Sequence, residues 1–284
     1  NNKQRLAGTL EDYAYFANAL IDIYDIEGDE LWLERSDQIV KQMITRFHDI
    51  ETGGFLISNA TNNKVPMMKL VTARDDAIYS GNSVAAQVLA RMAQRTGSLE
   101  FKHSASSTIS AFSQQLLASP EALSGMLLAA EILNQGDIGS RQYAAKGKVI
   151  VTANINSDNT FSLNIDIAKG WHINASQVLN KYLIPTALTP ASLGSSDKCL
   201  VFEKVSYPKG ELVSLGFQED KLLVYENSVT LSADLSQSTP KSTESRCQTL
   251  AAELSIQACT DEVCQAPEKI QIRAHLKHES LIDS

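Results

Sequence analysis

The run LAAELSIQACTDEVCQAPEKIQIRAHL, residues 250–276, decides the fold of the second half of the chain. Its apolar residues occupy every second position on two arms, a period that is typical of paired β-strands with one buried face. The apolar positions are Leu250, Ala252, Leu254, Ile256 and Ala258 on the first arm and Ile270, Ile272, Ala274 and Leu276 on the second. The pattern predicts a β-hairpin, with Cys259 and Cys264 where the chain turns over.

Cys259 and Cys264 can form a disulfide only if the chain folds back between them. Five residue steps span about 17 Å when extended, whereas bridged Cα atoms lie about 4.4–6.8 Å apart. A turn at 260–262 satisfies this condition. The pair can be a structural staple, two free thiols or a site of thiol exchange. A bridge over so short a loop removes little unfolded-state entropy, and at a loop tip it is open to attack by an outside thiolate.

Residues 141–284 are predicted to form a β-sandwich, because short alternating runs separated by turn-rich stretches begin at Val149. All four cysteines lie in this half. Cys199 and Cys247 are either two isolated thiols or a second bridge. The sequence has no Cys-x-x-Cys pair and no zinc-like histidine spacing, so no metal site is predicted.

The stretches SLNIDIAKGWHINA (162–175), LLVYENSVTLSADL (222–235) and LSIQACTDEVCQAP (254–267) carry a family resemblance. Over 145–278 the chain resembles the N-terminal, immunoglobulin-like domain of the thiol:disulfide interchange protein DsbD. The resemblance implies that Cys259 and Cys264 are the catalytic redox pair and that the partner is a thioredoxin-like domain or protein. It also implies an extracytoplasmic, periplasmic location. No position matches the bulky cap that this family places over its cysteines.

Residues 1–140 are predicted to be helical. Apolar stripes at helical spacing indicate five helices, which begin near Leu10, Glu30, Val84, Phe101 and Pro120. The connection 49–79 is long for a helix–helix loop, and its Gly53-Gly54-Phe55 and 59–64 segments suggest a short hairpin.

The helical half carries a second resemblance, in LEDYAYFANALIDIYDIEGDELWLERS (10–36), FHDIETGGF (47–55) and RDDAIYSGNSVAAQVLARMAQRTG (74–97). It is similar to the proteins related to spermatogenesis-associated protein 20, which join a thioredoxin-like domain to an α/α toroid. This implies an incomplete toroid, and we expect the chain to be a C-terminal fragment with a thioredoxin-like domain upstream. A small free-standing helical bundle is the alternative.

Related toroids include sugar epimerases and glycosidases, so the resemblance also implies a possible site at Asp12, Asp76, Ser80 and Asn82. Paired carboxylates can act as acid and base in glycoside chemistry. The same residues also suit structural roles, since Asp12 and Ser80 stand where helices begin and where such side chains cap the backbone.

The net charge of −8, with no cluster of Lys or Arg, argues against binding to nucleic acid or to anionic membranes. No apolar run approaches the roughly 18 residues of a membrane span. The resemblance to the DsbD domain implies the predicted function, a thiol–disulfide exchange module of a multidomain redox protein, without a metal or organic cofactor. Whether the chain is itself a thiol:disulfide oxidoreductase stays open. The alternative is a carbohydrate-active or carbohydrate-binding α/α toroid with a structural β-sandwich. The sequence leaves open the direction of electron flow, the attacking cysteine and the oligomeric state.

Overall fold

The computed structural model describes residues 8–58, 71–137, 139–156, 158–180, 182–191, 200–214, 221–237 and 249–275. The chain divides into two compact units, Asn1–Asp137 and Ile138–Ser284. The first unit is helical and the second is built from antiparallel sheets. Cys199 and Cys247, and the predicted 59–64 segment, lie outside the described residues.

The helical unit contains six described α-helices and one short 3₁₀ turn, Pro120–Leu123. The helices are α1 (Leu10–Glu27), α2 (Glu30–Phe47), α3 (Gly81–Thr96), α4 (Leu99–Ala111), α5 (Ser113–Ala118) and α6 (Ser124–Gln135). The helix predicted over 101–116 is broken at Phe112, whose ring is buried against Met126 and neighbouring core residues. Packing of this side chain outweighs the continuous helical pattern.

Helix α3 lies at the centre of the helical unit, where it packs against α1, α4 and α6. It is buried on nearly every side, and the polar side chains it buries have partners. Arg95 is wholly buried and bonds to Asp25 and Asp137, while Arg91 bonds to the same two carboxylates from one turn earlier. These ion pairs tie α1 and the end of the unit to α3. Whether more helices complete a toroid stays a prediction.

The β unit has fourteen described strands, β1 to β14. They are Arg141–Ala144, Val149–Ile155, Thr160–Ile167, His172–Asn174, Ala187–Pro190, Leu200–Val201, Val205–Ser206, Glu211–Val213, Leu222–Tyr225, Ser228–Asp234, Ser236–Gln237, Thr249–Ile256, Ala258–Cys259 and Glu268–His275.

Three sheets form, in the orders β1-β2-β3-β10-β7, β11-β6-β12-β14 and β13-β4-β9-β8, with β5 also paired to β12. The inward residues of the first two sheets share one core, as in a sandwich; Phe161 and Leu231 come from one sheet and Leu254 and Ile272 from the other. The alternation predicted for the last hairpin is confirmed, since Leu254 pairs with Ile270 and Ala252 with Ile272.

The first arm of that hairpin does not run on to Ala258 as predicted. Strand β12 ends at Ile256, and after Gln257 the chain enters β13, which belongs to the third sheet. This change of sheet separates the cysteines from the long hairpin. It places them beside β4.

Within the described residues, no helix is both long and apolar enough to cross a membrane.

Candidate functional site

The two cysteines of the hairpin are joined in a tight turn. Cys259 and Cys264 lie directly opposite each other on antiparallel backbone, with Cα atoms 4.0 Å apart and a bond between their sulfurs. Thr260 N donates to Val263 O at 2.9 Å inside the turn, and Gln265 N donates to Ala258 O at 2.8 Å outside it. The pairing that was predicted for these cysteines is therefore present.

The two bridged cysteines differ in their exposure to solvent. Cys259 is 1% exposed, whereas Cys264 is only partly buried. Cys259 lies on β13, where it pairs with His172 of β4 and with Cys264, whereas Cys264 follows the exposed turn. Cys264 is therefore the more accessible of the two residues.

Gln257 braces the point where the chain changes sheets. Its Oε1 accepts hydrogen bonds from Asn174 Nδ2 at 3.3 Å and from the backbone N–H of Ile184 at 3.4 Å. Its Nε2 donates to the carbonyl of Gln265 at 3.3 Å. The side chain thus links both ends of the cysteine turn to β4. Gln257 lies within the stretch 254–267 that carries the family resemblance, but sequence reasoning gave it no role.

His172 lies directly across the sheet from Cys259. It is 1% exposed, and its Nε2 has no hydrogen-bond partner among the described residues. Burial lowers the pKa of His172, while the nearby carboxylates of Glu226 and Asp261 act in the opposite direction. The imidazole is therefore neutral at neutral pH. Sequence reasoning excluded a zinc site at the histidines and quoted His172 within the resemblance stretch 162–175, but missed its place beside the disulfide.

Acidic residues occupy the tip of the turn. Asp261 and Glu262 are exposed, and the Thr260 hydroxyl accepts the backbone N–H groups of Glu262 at 3.3 Å and Val263 at 3.2 Å. The side-chain bonds of Thr260 fix the backbone of the turn. The two carboxylates therefore belong to the ordered turn that joins the two cysteines.

The residues predicted for a toroid site have structural partners. Asp12 accepts hydrogen bonds from the backbone N–H and the hydroxyl of Thr9, the first of which chiefly lowers the pKa of the Asp12 carboxyl. Ser80 accepts the N–H of Ser83 and so caps α3. Both arrangements satisfy backbone groups that a helix start leaves unpaired.

Asn82 is wholly buried and braces the loop before α3. It accepts the N–H of Phe55 at 2.8 Å and donates to the carbonyls of Phe55 and Thr72, each at 2.9 Å. Asp76 has an exposed side chain, 3.9 Å from Arg74.

A cleft of about 200 Å³ brings together three of the four predicted toroid residues, Asp76, Ser80 and Asn82. Asp12 does not line it, whereas Glu11 does. The two carboxylates on this cleft are therefore those of Glu11 and Asp76, and sequence reasoning missed the first of them.

Different parts of the chain resemble known proteins. Residues 141–275 match the family model described as thiol:disulfide interchange protein DsbD, N-terminal. The chain is 31% identical over 122 residues to spermatogenesis-associated protein 20 of Homo sapiens, covering 43% of this chain and 16% of that protein. It is 26% identical over 144 residues to the uncharacterized protein B0495.5 of Caenorhabditis elegans, covering 51% of this chain and 19% of that protein.

A solved structure, the DsbD N-terminal domain of Neisseria meningitidis in the reduced form, covers 48% of this chain and 90% of its own length. Its sequence identity is 15% and its TM-score 0.33. Both resemblances inferred from the sequence are confirmed by the family match and the relatives. The chain spans less than a fifth of the length of the relatives named above.

Proposed function

We propose that the β unit is a thiol–disulfide exchange module whose reacting groups are Cys259 and Cys264. The observation that carries the proposal is the uneven exposure of the two bridged residues, since Cys259 is buried on β13 and Cys264 is partly exposed beside an exposed turn. A bridge over so short a loop contributes little to stability. The match of residues 141–275 to the DsbD N-terminal family supports the same function.

The exchange begins at Cys264. A thiolate of a partner dithiol attacks the Cys264 sulfur, the bond between the two sulfurs breaks, and its electron pair leaves on Cys259 as a thiolate. The partner's second thiolate then attacks its own sulfur in the mixed disulfide and releases Cys264. Two electrons pass from the partner to this chain, and the partner becomes the disulfide. The reverse sequence reduces a partner.

The partner we propose is a thioredoxin-like domain or protein, and the proposed location is extracytoplasmic, where disulfides persist. Negative charge from Asp261 and Glu262 disfavours a thiolate at either sulfur. Since the reduced form gains little stability, the pair should have a low reduction potential and should donate electrons more readily than it accepts them.

Single-cysteine variants test the order of attack. With a thioredoxin-like protein that carries one cysteine activated as a mixed disulfide with thionitrobenzoate, Cys259→Ser should react about tenfold faster than Cys264→Ser, because Cys264 is the more accessible of the two cysteines. In the unsubstituted chain, reduced thioredoxin should open the bridge, as seen by alkylation and mass spectrometry. A bridge that resists every thioredoxin-like dithiol would refute the exchange function.

The alternative, a carbohydrate-binding toroid, is supported by the cleft that Glu11 and Asp76 line. It is the weaker proposal, because Ser80 and Asn82 already serve the backbone of the helical unit. A sugar affinity that Asp76→Ala abolishes, with the fold intact, would favour it.

A further inference from the structure

Three side chains of chemical interest occupy neighbouring positions across the third sheet. Cys259 on β13 is the direct partner of His172 on β4. On the other side of β4, Ile173 pairs with Tyr225 of β9, so continuing this antiparallel register by one residue sets Glu226 opposite His172. Side chains of directly opposed residues project from the same face of a sheet, with Cβ atoms about 4.5–5.5 Å apart. Cys259, His172 and Glu226 therefore form a row.

Opening the disulfide creates a charge in this row. When Cys264 is attacked, the electron pair moves to the sulfur of Cys259, which is buried. A buried thiolate lacks hydration, and the charged groups on the same turn, Asp261 and Glu262, are negative as well. The charge requires a hydrogen-bond donor from the protein.

His172 is the buried polar group placed to supply that donor. Its Nε2 has no partner while the disulfide is closed, a state that is unfavourable for a buried polar atom. Burial outweighs the opposing carboxylates of Glu226 and Asp261 and keeps the ring neutral, with a single N–H to donate.

We propose that the Nε2–H of His172 donates a hydrogen bond to the sulfur of Cys259 when that sulfur leaves as a thiolate. This inference rests on the proposed exchange function and assigns to His172 the stabilisation of the leaving group. In the step, the partner's sulfur bonds to Cys264, the bond from Cys264 to Cys259 breaks, and the electron pair stays on Cys259. The proton remains on Nε2 and is shared with the thiolate. A better stabilised leaving thiolate departs faster.

The first test isolates Cys259 in the full chain with Cys264→Ser and follows its alkylation against pH. Adding His172→Phe should shift the midpoint of the profile upward by about one unit, which is about tenfold less thiolate at a fixed pH. His172→Gln keeps an N–H donor and should restore most of the loss. Ile173→Val loosens the same strand without removing the donor and should leave the midpoint unchanged. Equal midpoints for His172→Phe and the parent would overturn the proposal.

A second measurement is made on the unsubstituted chain. With ¹⁵N-labelled histidine in the unsubstituted chain, chemical reduction of the bridge should change the Nε2 signal of His172, assigned by its absence in His172→Gln. A signal unchanged by reduction would overturn the proposal. Both tests read a property of Cys259 or His172 without a protein partner. If thioredoxin fails to open the bridge, the exchange function is refuted. The two tests described here still decide the role of His172.

Discussion

Replacing Arg95 by Met should destabilise the helical unit by about 3 kcal/mol. The guanidinium is fully buried, and its Nε lies 2.9 Å from Asp25 Oδ1 and its NH2 2.7 Å from Asp137 Oδ2. Removing one partner of a buried pair costs about 3–5 kcal/mol. Arg91 still bonds to both carboxylates, at 2.8 Å and 2.7 Å, so neither is left without a cation and we expect the lower end of that range.

The stability that Arg95→Met loses should depend on pH in a defined direction. Burial alone raises the pKa of the Asp137 carboxyl, but Arg91 and Arg95 outweigh burial and hold that pKa below its ordinary value. A carboxyl with a lowered folded pKa adds stability above its unfolded pKa of about 3.9, and this stability is lost as the pH falls through the folded value. The deficit of Arg95→Met should therefore be largest near pH 7 and shrink below about pH 4.

The assay is urea unfolding followed by tryptophan fluorescence. In a Trp171→Phe background only Trp32, on α2, reports, so the signal belongs to the helical unit. Lys41→Met is the matched control, since its ion pair with Asp37 is exposed and should contribute only about 0.3–0.5 kcal/mol. If Arg95→Met behaves like this control, or if its deficit is the same at pH 3.5 and pH 7, the buried ion pairs do not stabilise the unit as argued.

Three further outcomes are expected. Limited proteolysis of the full chain should cut between residues 135 and 147 and give a helical and a β fragment by mass spectrometry; one resistant fragment across that stretch would contradict the two units. In urea titrations, Asn82→Ala should destabilise the helical unit by about 2–3 kcal/mol, because it removes the hydrogen bonds of Asn82 to loop backbone. Asp76→Ala changes an exposed side chain and should destabilise the unit by less than about 0.5 kcal/mol. Equal effects of the two substitutions would contradict the bracing role of Asn82. Asp261→Asn with Glu262→Gln should raise the reduction potential by about 20 mV in glutathione equilibration, because like charge is removed near the thiolates; an unchanged potential would show that burial sets it.

Local patterns predicted much of the fold. The segments 149–155, 161–167 and 250–256 form strands, as predicted. Each could be predicted alone, because the alternation of apolar residues within the segment itself marks its buried face. The break at Phe112 was not visible in the sequence, because it depends on side chains far along the chain that pack against the ring.

Some features of the candidate site could likewise be predicted from the sequence, and others could not. The bridge from Cys259 to Cys264 could be predicted, since it needs only a local turn. The pairing of Cys259 with His172 could not, because strand partners distant in sequence are set by the whole sheet. Likewise, the spacing of Ser80 and Asn82 suited a site or a cap equally well, and only their bonds to backbone distinguish these roles.

If Cys264 exchanges disulfides as proposed, the backbone bonds of the cysteine turn bear on how long a partner is held in the mixed disulfide. The bonds from Thr260 to Val263 and from Gln265 to Ala258 involve neither sulfur, so they persist when the bridge opens. Cys259 then stays facing Cys264 at high effective concentration, and closing the bridge again requires no loop to be ordered. Two reactions therefore compete to break a mixed disulfide on Cys264. In one the sulfur of Cys259 attacks Cys264 and closes the bridge again, and in the other the partner's second thiol attacks the partner's own sulfur. The ratio of these two rates sets the fraction of encounters that end in net electron transfer.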